Sequence, residues 1–186
     1  MSQYSAEEAA DIHCELTLQT YKTLCQVTAD RLGLQIAGDP QHPFFTQAPF
    51  NPTHLSLQAE GDLGNKMRLA LNQQIKSHQT VVLVGSDCPA FTLDIIEDAF
   101  LELEKRKSDV VLVPAEDGGF VLIGCNRLLP EDLFQGITWG QGDVLERTVE
   151  RLKAKTLSYH LLPTLWDVDH PEDVLRWKAE RKNRDN

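Results

Sequence analysis

Positive charge is scarce in this sequence: Lys and Arg total 18 against 28 Asp and Glu, a formal net charge of −10. A surface of that sign repels phosphate backbones and anionic lipid heads, and no local basic cluster offsets it, so nucleic acid and membrane surfaces are excluded as partners. Apolar runs long enough to span a bilayer are absent. The opening residues, Met1 to Glu8, lack both the positive flank and the apolar core of a secretory signal, which reads as a cytoplasmic protein. Cysteine is sparse as well. Cys14, Cys25, Cys88 and Cys125 stand apart with no Cys-x-x-Cys spacing, so neither a disulfide framework nor a zinc site is indicated. A Gly-x-Ser-x-Gly elbow and a His-Glu-x-x-His helix are missing, and the six histidines lie in dissimilar contexts, which disfavours a serine- or zinc-centred hydrolase.

What is present suits a single soluble domain. The 186 residues are 41% hydrophobic and 25% charged, enough for one sizeable core. Ser5 with Glu8 forms a capping box, and Ala9, Ile12, Leu16, Leu24 and Val27 follow at roughly helical spacing, predicting a helix to about Leu32. Residues 33 to 53 hold Gly33, Gly38, Pro40, Pro43, Pro49 and Pro52, which allows one short strand, Leu34 to Ala37, before an irregular stretch. His54 to Gln58 alternates as a strand does, and Asp62 is placed to cap a helix through Met67, Leu71 and Ile75. Val81 to Val84 is a continuous β-branched run, predicting a strand buried on both faces of a parallel sheet. A helix capped by Thr92 and a strand from Val110 to Val113 complete a parallel crossover unit. Beyond it come a strand from Phe120 to Cys125, helices at Glu131 to Phe134 and Asp143 to Lys155, a strand near Tyr159 to Leu162, and a helix from Pro171. The fold class is therefore α/β, a mostly parallel sheet flanked by helices, spanning 1–177, with 178–186 as a polar tail that frays.

Ligands in such folds bind beyond the carboxyl ends of the strands, and three acidic turns fall there. Asp87 follows the Val81 strand between Gly85 and Pro89. It reads either as a ligand for a hard cation such as Mg²⁺ or Mn²⁺, or as an Asp that satisfies loop amides. Glu116-Asp117-Gly118-Gly119 is a hairpin signal whose glycines also admit close approach of a bound group. In Trp166-Asp167-Val168-Asp169, period-two geometry puts Asp167 and Asp169 on one side, able to share a cation; in the alternative, Asp169 caps the Pro171 helix. Cys88, with no basic neighbour to lower its pKa, reads as a buried thiol rather than a nucleophile. Trp139 either stacks on a base or sugar or closes the core.

Taken in order, Gly61-Asp62-Leu63-Gly64, Gly85-Ser86-Asp87-Cys88-Pro89, Pro114 to Phe120, Trp139-Gly140, and Asp167-Val168-Asp169 with Pro171-Glu172-Asp173 resemble the bacterial GT-A-fold glycosyltransferases associated with radical-SAM and selenodomain proteins. Some of these are linked to arsenosugar biosynthesis, and the group is related to molybdenum-cofactor guanylyltransferase-like enzymes. The likeness runs from about Ala6 to Trp177. It implies a nucleotide-sugar donor and a small-molecule acceptor, with Asp87 and one of Asp167 or Asp169 holding a divalent cation (Mg or Mn) on the diphosphate. Glu116 or Asp117 would act on the acceptor. Gly61, Asp62, Gly64, Cys88, Pro89, Gly118, Gly119 and Trp139 occupy the substrate-binding motif positions. The family also carries a first apolar strand and a basic Gly-containing loop ahead of the helix that aligns with Ala6 to Ala10, so this chain is expected to lack that strand and leave a sheet edge unpaired. Gln141 stands where the family often has threonine. Two other readings stay open: a nucleotidyltransferase using the same cation at the same strand ends, and a non-catalytic binding or oligomerisation module, such as a homodimer that covers the free edge.

Overall fold

The computed structural model describes residues 4–47, 49–51 and 54–184; Met1 to Gln3, Pro52 of the proline-rich stretch, and the last two residues of the polar tail lie outside the described residues. Helix α1, Ala6–Leu24, starts at the expected capping box: Glu8 N donates to Ser5 Oγ at 3.2 Å and Ser5 N to Glu8 Oε2 at 2.7 Å. It stops at Leu24, short of the expected Leu32. Just beyond, β-branched Val27 and Thr28 and then Asp30 favour non-helical backbone, and their weak propensity outweighs the apolar spacing. Strands β1, Leu34–Ile36, and β2, Leu55–Leu57, pair in parallel as a small separate sheet, with a one-turn helix α2, Pro43–Thr46, in the stretch between them. Helix α3, Leu63–Gln74, takes its cap from Asp62, whose Oδ1 accepts from Asn65 N at 2.8 Å.

The main sheet contains β3 (Val81–Val84), β4 (Val110–Pro114), β5 (Phe120–Cys125) and β6 (Tyr159–Leu161), in the spatial order β3-β5-β4-β6. Helix α4, Leu93–Glu104, crosses from β3 to β4 as expected, and those two strands run in the same direction, but β5 is inserted between them and pairs antiparallel with both. The hairpin at Glu116 to Gly119 causes this: it returns the chain beside β4 before any later strand arrives. β6 then pairs parallel to β4 on its other side. The fold is α/β, and the main sheet is mixed, with three strands running one way and β5 the other.

Alternation along β4 supplies two cores. Val110 and Leu112 pack on one face with Leu71, Leu133 and Leu152, while Val111 and Val113 face Ile96, Ala99 and Leu103 of α4. β3 carries the same kind of sequence but sits at the sheet edge, so its four residues are only half-buried; the expectation of a strand covered on both faces fails there. Residues 131–134 form turns rather than a helix, because Pro130 and Gly136 leave too short a run to nucleate one. Helix α5, Val144–Ala154, and helix α6, Pro171–Arg184, close the chain, and α6 takes in the polar segment from Lys178 to Arg184. Among the described residues, no helix is long and apolar enough to cross a membrane.

Candidate functional site

Three loops converge at the carboxyl ends of β3, β4 and β6, and backbone hydrogen bonds hold them together. Gly85 N donates to Val121 O at 2.9 Å, anchoring the turn after β3 to β5. A Cβ on Gly85 would lie 2.6 Å from Asp87 Oδ1, so the side chain of Asp87 folds back over a position that only glycine leaves open. Val168 N donates to Asp87 O at 3.0 Å, Leu165 N to Pro114 O at 2.9 Å and Glu116 N to Leu165 O at 3.0 Å. These contacts bring the third acidic segment alongside the other two.

Asp117, Asp167 and Asp169 meet there, each offering a carboxylate oxygen within 4.8 Å of the others. Asp117 Oδ1 accepts from Gly119 N at 2.8 Å, which fixes the side chain across its own turn. Gly118 has φ +91, and a Cβ on it would strike Gly142 O at 2.1 Å, so the turn admits no other residue without moving. Asp87 lies beside the trio, near enough that its charge and theirs oppose one another. Burial pushes the Asp167 carboxyl up to about 7, with Asp169, Asp117 and Asp87 adding to the rise. Burial likewise raises Asp87 and Asp169 above the usual carboxylate range. Protonation or a cation relieves such crowding. Helix α6 takes its cap not from Asp169 but from Asp173, whose Oδ2 accepts from His170 N at 2.8 Å and Asp169 N at 3.2 Å.

The carboxylates border a cavity of about 920 Å³. Its walls include Thr17 and Thr20 of α1, Leu34 and Gln35 of β1, the outer side of β3, Lys66 and Met67 of α3, and Trp139. Among the described residues β3 is an outermost strand of the main sheet, and it forms part of the cavity wall. Thr17 Oγ1 and Trp139 Nε1 are buried without a hydrogen-bond partner, and both residues line this space. Buried polar atoms are nearly always satisfied, so these two are exceptions in the cavity wall, and neither atom is itself open to the cavity. Arg31 and Lys66 add positive charge to the lining.

The remaining predicted residues are distributed as follows. Glu116 is exposed and turned to α6, where Arg176 Nη1 donates to its Oε2 at 2.8 Å and holds its carboxyl below the usual range. Asp117 and Gly119 line the cavity, whereas Gly61, Asp62 and Gly64 form the start of α3 beneath it. A Cβ on Gly64 would lie 2.8 Å from Trp139 Cζ2, so this glycine lets the indole pack against α3. Cys88 is buried and its thiol is pushed up to about 12 by burial, which makes it a packing group. Pro89 offers its carbonyl to Gln19 Nε2 at 2.9 Å. Sequence reasoning missed Thr17 and Thr20, whose helical spacing reads as core, and His13, whose Nε2 lies 3.4 Å from Ser86 Oγ beside Asp87. It also missed Arg31 and Lys66, isolated charges that carry no pattern.

Residues 20–141 match the model of DUF2064, described as "Uncharacterized protein conserved in bacteria". The chain belongs to DUF2064. Among solved structures, this DUF2064 chain is similar to the crystal structure of a "putative nucleotide-diphospho-sugar transferase" from Desulfovibrio desulfuricans G20 at 1.90 Å resolution. The two share 31% identity over 87% of this chain and 71% of that one, with a TM-score of 0.75. The match groups the DUF2064 fold with GT-A-like transferases. No protein of curated function matches the sequence.

Proposed function

We propose that this chain is a cation-dependent glycosyltransferase that draws its sugar from a nucleotide-sugar donor. The observation that carries the reading is the trio Asp117, Asp167 and Asp169 at the rim of the 920 Å³ cavity. An all-oxygen, carboxylate donor set suits Mg²⁺ or Mn²⁺, which keep positions for phosphate oxygens and water. Asp117, Asp167 and Asp169 would hold that cation, with Asp87 behind them adding negative charge. When bound, such a cation neutralises charge that develops on a departing diphosphate. Arg31 and Lys66 line the same space and suit a diphosphate. Of the pair Glu116 and Asp117, Asp117 is the one that faces the ligand space, since Glu116 is engaged by Arg176.

The Desulfovibrio relative supports the donor class by its description as a nucleotide-diphospho-sugar transferase. Our finer placement, among the GT-A enzymes that accompany radical-SAM and selenodomain proteins and serve arsenosugar biosynthesis, rests on the order of the motifs. Four thiols free of disulfides accord with work in a reducing cytoplasm. The test is thermal unfolding with Mn²⁺ and UDP, GDP or ADP. One nucleotide with Mn²⁺ is expected to raise Tm by several degrees, roughly 2–4 °C for each kcal/mol of binding energy. Asp167→Asn is expected to abolish the shift. A wild-type chain that responds to none of the three overturns the proposal.

A further inference from the structure

Arg176 stands outside the cavity, yet it touches the residue immediately before each of two site carboxylates. Its guanidinium makes a forked ion pair with Glu116, Nη1 to Oε2 at 2.8 Å and Nη2 to Oε1 at 3.3 Å. The same group lies over Trp166, its Cζ 4.2 Å from the ring centroid. Glu116 precedes Asp117, and Trp166 precedes Asp167. Trp166 and Asp167 are successive residues of extended backbone, so their side chains point to opposite sides, and in the turn after β4 Glu116 is held outward by Arg176 while Asp117 borders the cavity. Trp166 is seated in a buried cluster with Leu16, Val174 and Trp177, which gives Arg176 a fixed surface to press against. Glu180 Oε1 accepts from Arg176 Nε at 3.4 Å and sets the guanidinium from behind.

The inward carboxylates repel one another, and that repulsion acts to spread the Asp117 turn from the Asp167 segment. A tie on the outer side of both segments opposes the spreading. Planar geometry matters here: a forked, stacked arginine fixes direction as well as distance, which a lysine ammonium cannot do. We propose that Arg176 is a positioning residue, clamping Glu116 to Trp166 so that Asp117 is held in register with Asp167 for a divalent cation. This inference rests on the cation reading given under Proposed function.

The experiment is titration of the full chain with Mn²⁺ alone, following free Mn²⁺ by electron paramagnetic resonance, for wild type, Arg176→Ala, Arg176→Lys and Glu116→Gln, with Tm measured on each. Removing a group that orients metal ligands characteristically costs about tenfold or more in affinity, and that loss is expected for both arginine variants. Glu116→Gln is expected to lose less, and the double variant Arg176→Ala with Glu116→Gln to bind no worse than Arg176→Ala. A role confined to stability would lower Tm and leave the Mn²⁺ Kd of the folded chain unchanged. Wild type that binds Mn²⁺ alongside variants of equal Kd overturns the clamp and spares the cation reading. Wild type that binds no Mn²⁺ overturns both. If Arg176→Ala fails to fold, Arg176→Lys and Glu116→Gln decide the matter.

Discussion

Asp167 carries the main pH dependence at the scale of single residues. Its carboxyl titrates near its ordinary value of 3.8 in the unfolded chain and is pushed up to about 7 in the folded one. Between those values the folded state holds a proton that the unfolded state has released, so stability falls as pH rises from about 4 to 7. The destabilisation is fully present above pH 7 and absent below pH 4. Asp87 and Asp169, raised in the same direction, add to the slope. Asp167→Asn is therefore expected to raise Tm at pH 8 and leave it nearly unchanged at pH 4. A fall in Tm at pH 8 would contradict this account. Because a cation and a proton compete for these oxygens, Mn²⁺ is expected to stabilise the wild type more at pH 8 than at pH 5. The acidic residues themselves were legible from the strand-end pattern. What decides their partition was not: Glu116 and Asp117 are neighbours in sequence, and only the position of Arg176, 60 residues away, shows which of them faces the cavity.

At the scale of elements, β3 and β4 make a controlled comparison. Each carries Val-Val-Leu-Val, yet Leu112 in β4 is 0% exposed while Leu83 in β3 is half-buried. Local pattern identifies both as strands and says nothing about which neighbour arrives on each side. Leu112→Ala is expected to cost about 2–5 kcal/mol in urea unfolding, and Leu83→Ala less than half as much. Equal losses would mean that β3 is as enclosed as β4. The caps at Ser5, Asp62 and Thr92 were legible because each works within four residues. Sheet order was not, since the return of β5 between β3 and β4 depends on long-range pairing. The early end of α1 and the turns at 131–134 were misread because apolar spacing continued where helix propensity or length did not support it.

For the whole molecule, three loops, two sheets and helices α1 and α3 combine around the cavity, and α6 braces it from outside. Arg181 pairs with Glu15, and Trp177 Nε1 donates to Gln19 Oε1 at 3.1 Å, so α6 is tied along α1 as well as to the Asp117 turn. The net charge of −10 acquires a location: part of it is gathered at the strand ends, where, on the proposed function, a cation offsets it for an anionic diphosphate. The DUF2064 match and the Desulfovibrio structure give the fold and the transferase grouping, and the proposed chemistry is assigned to the carboxylate trio. Anomalous diffraction from crystals grown with MnCl₂ and UDP tests the central claim most directly. The account predicts a manganese peak about 2.1 Å from oxygens of Asp167 and at least one of Asp117 and Asp169. Nucleotide bound in the cavity with no metal at these carboxylates would contradict it.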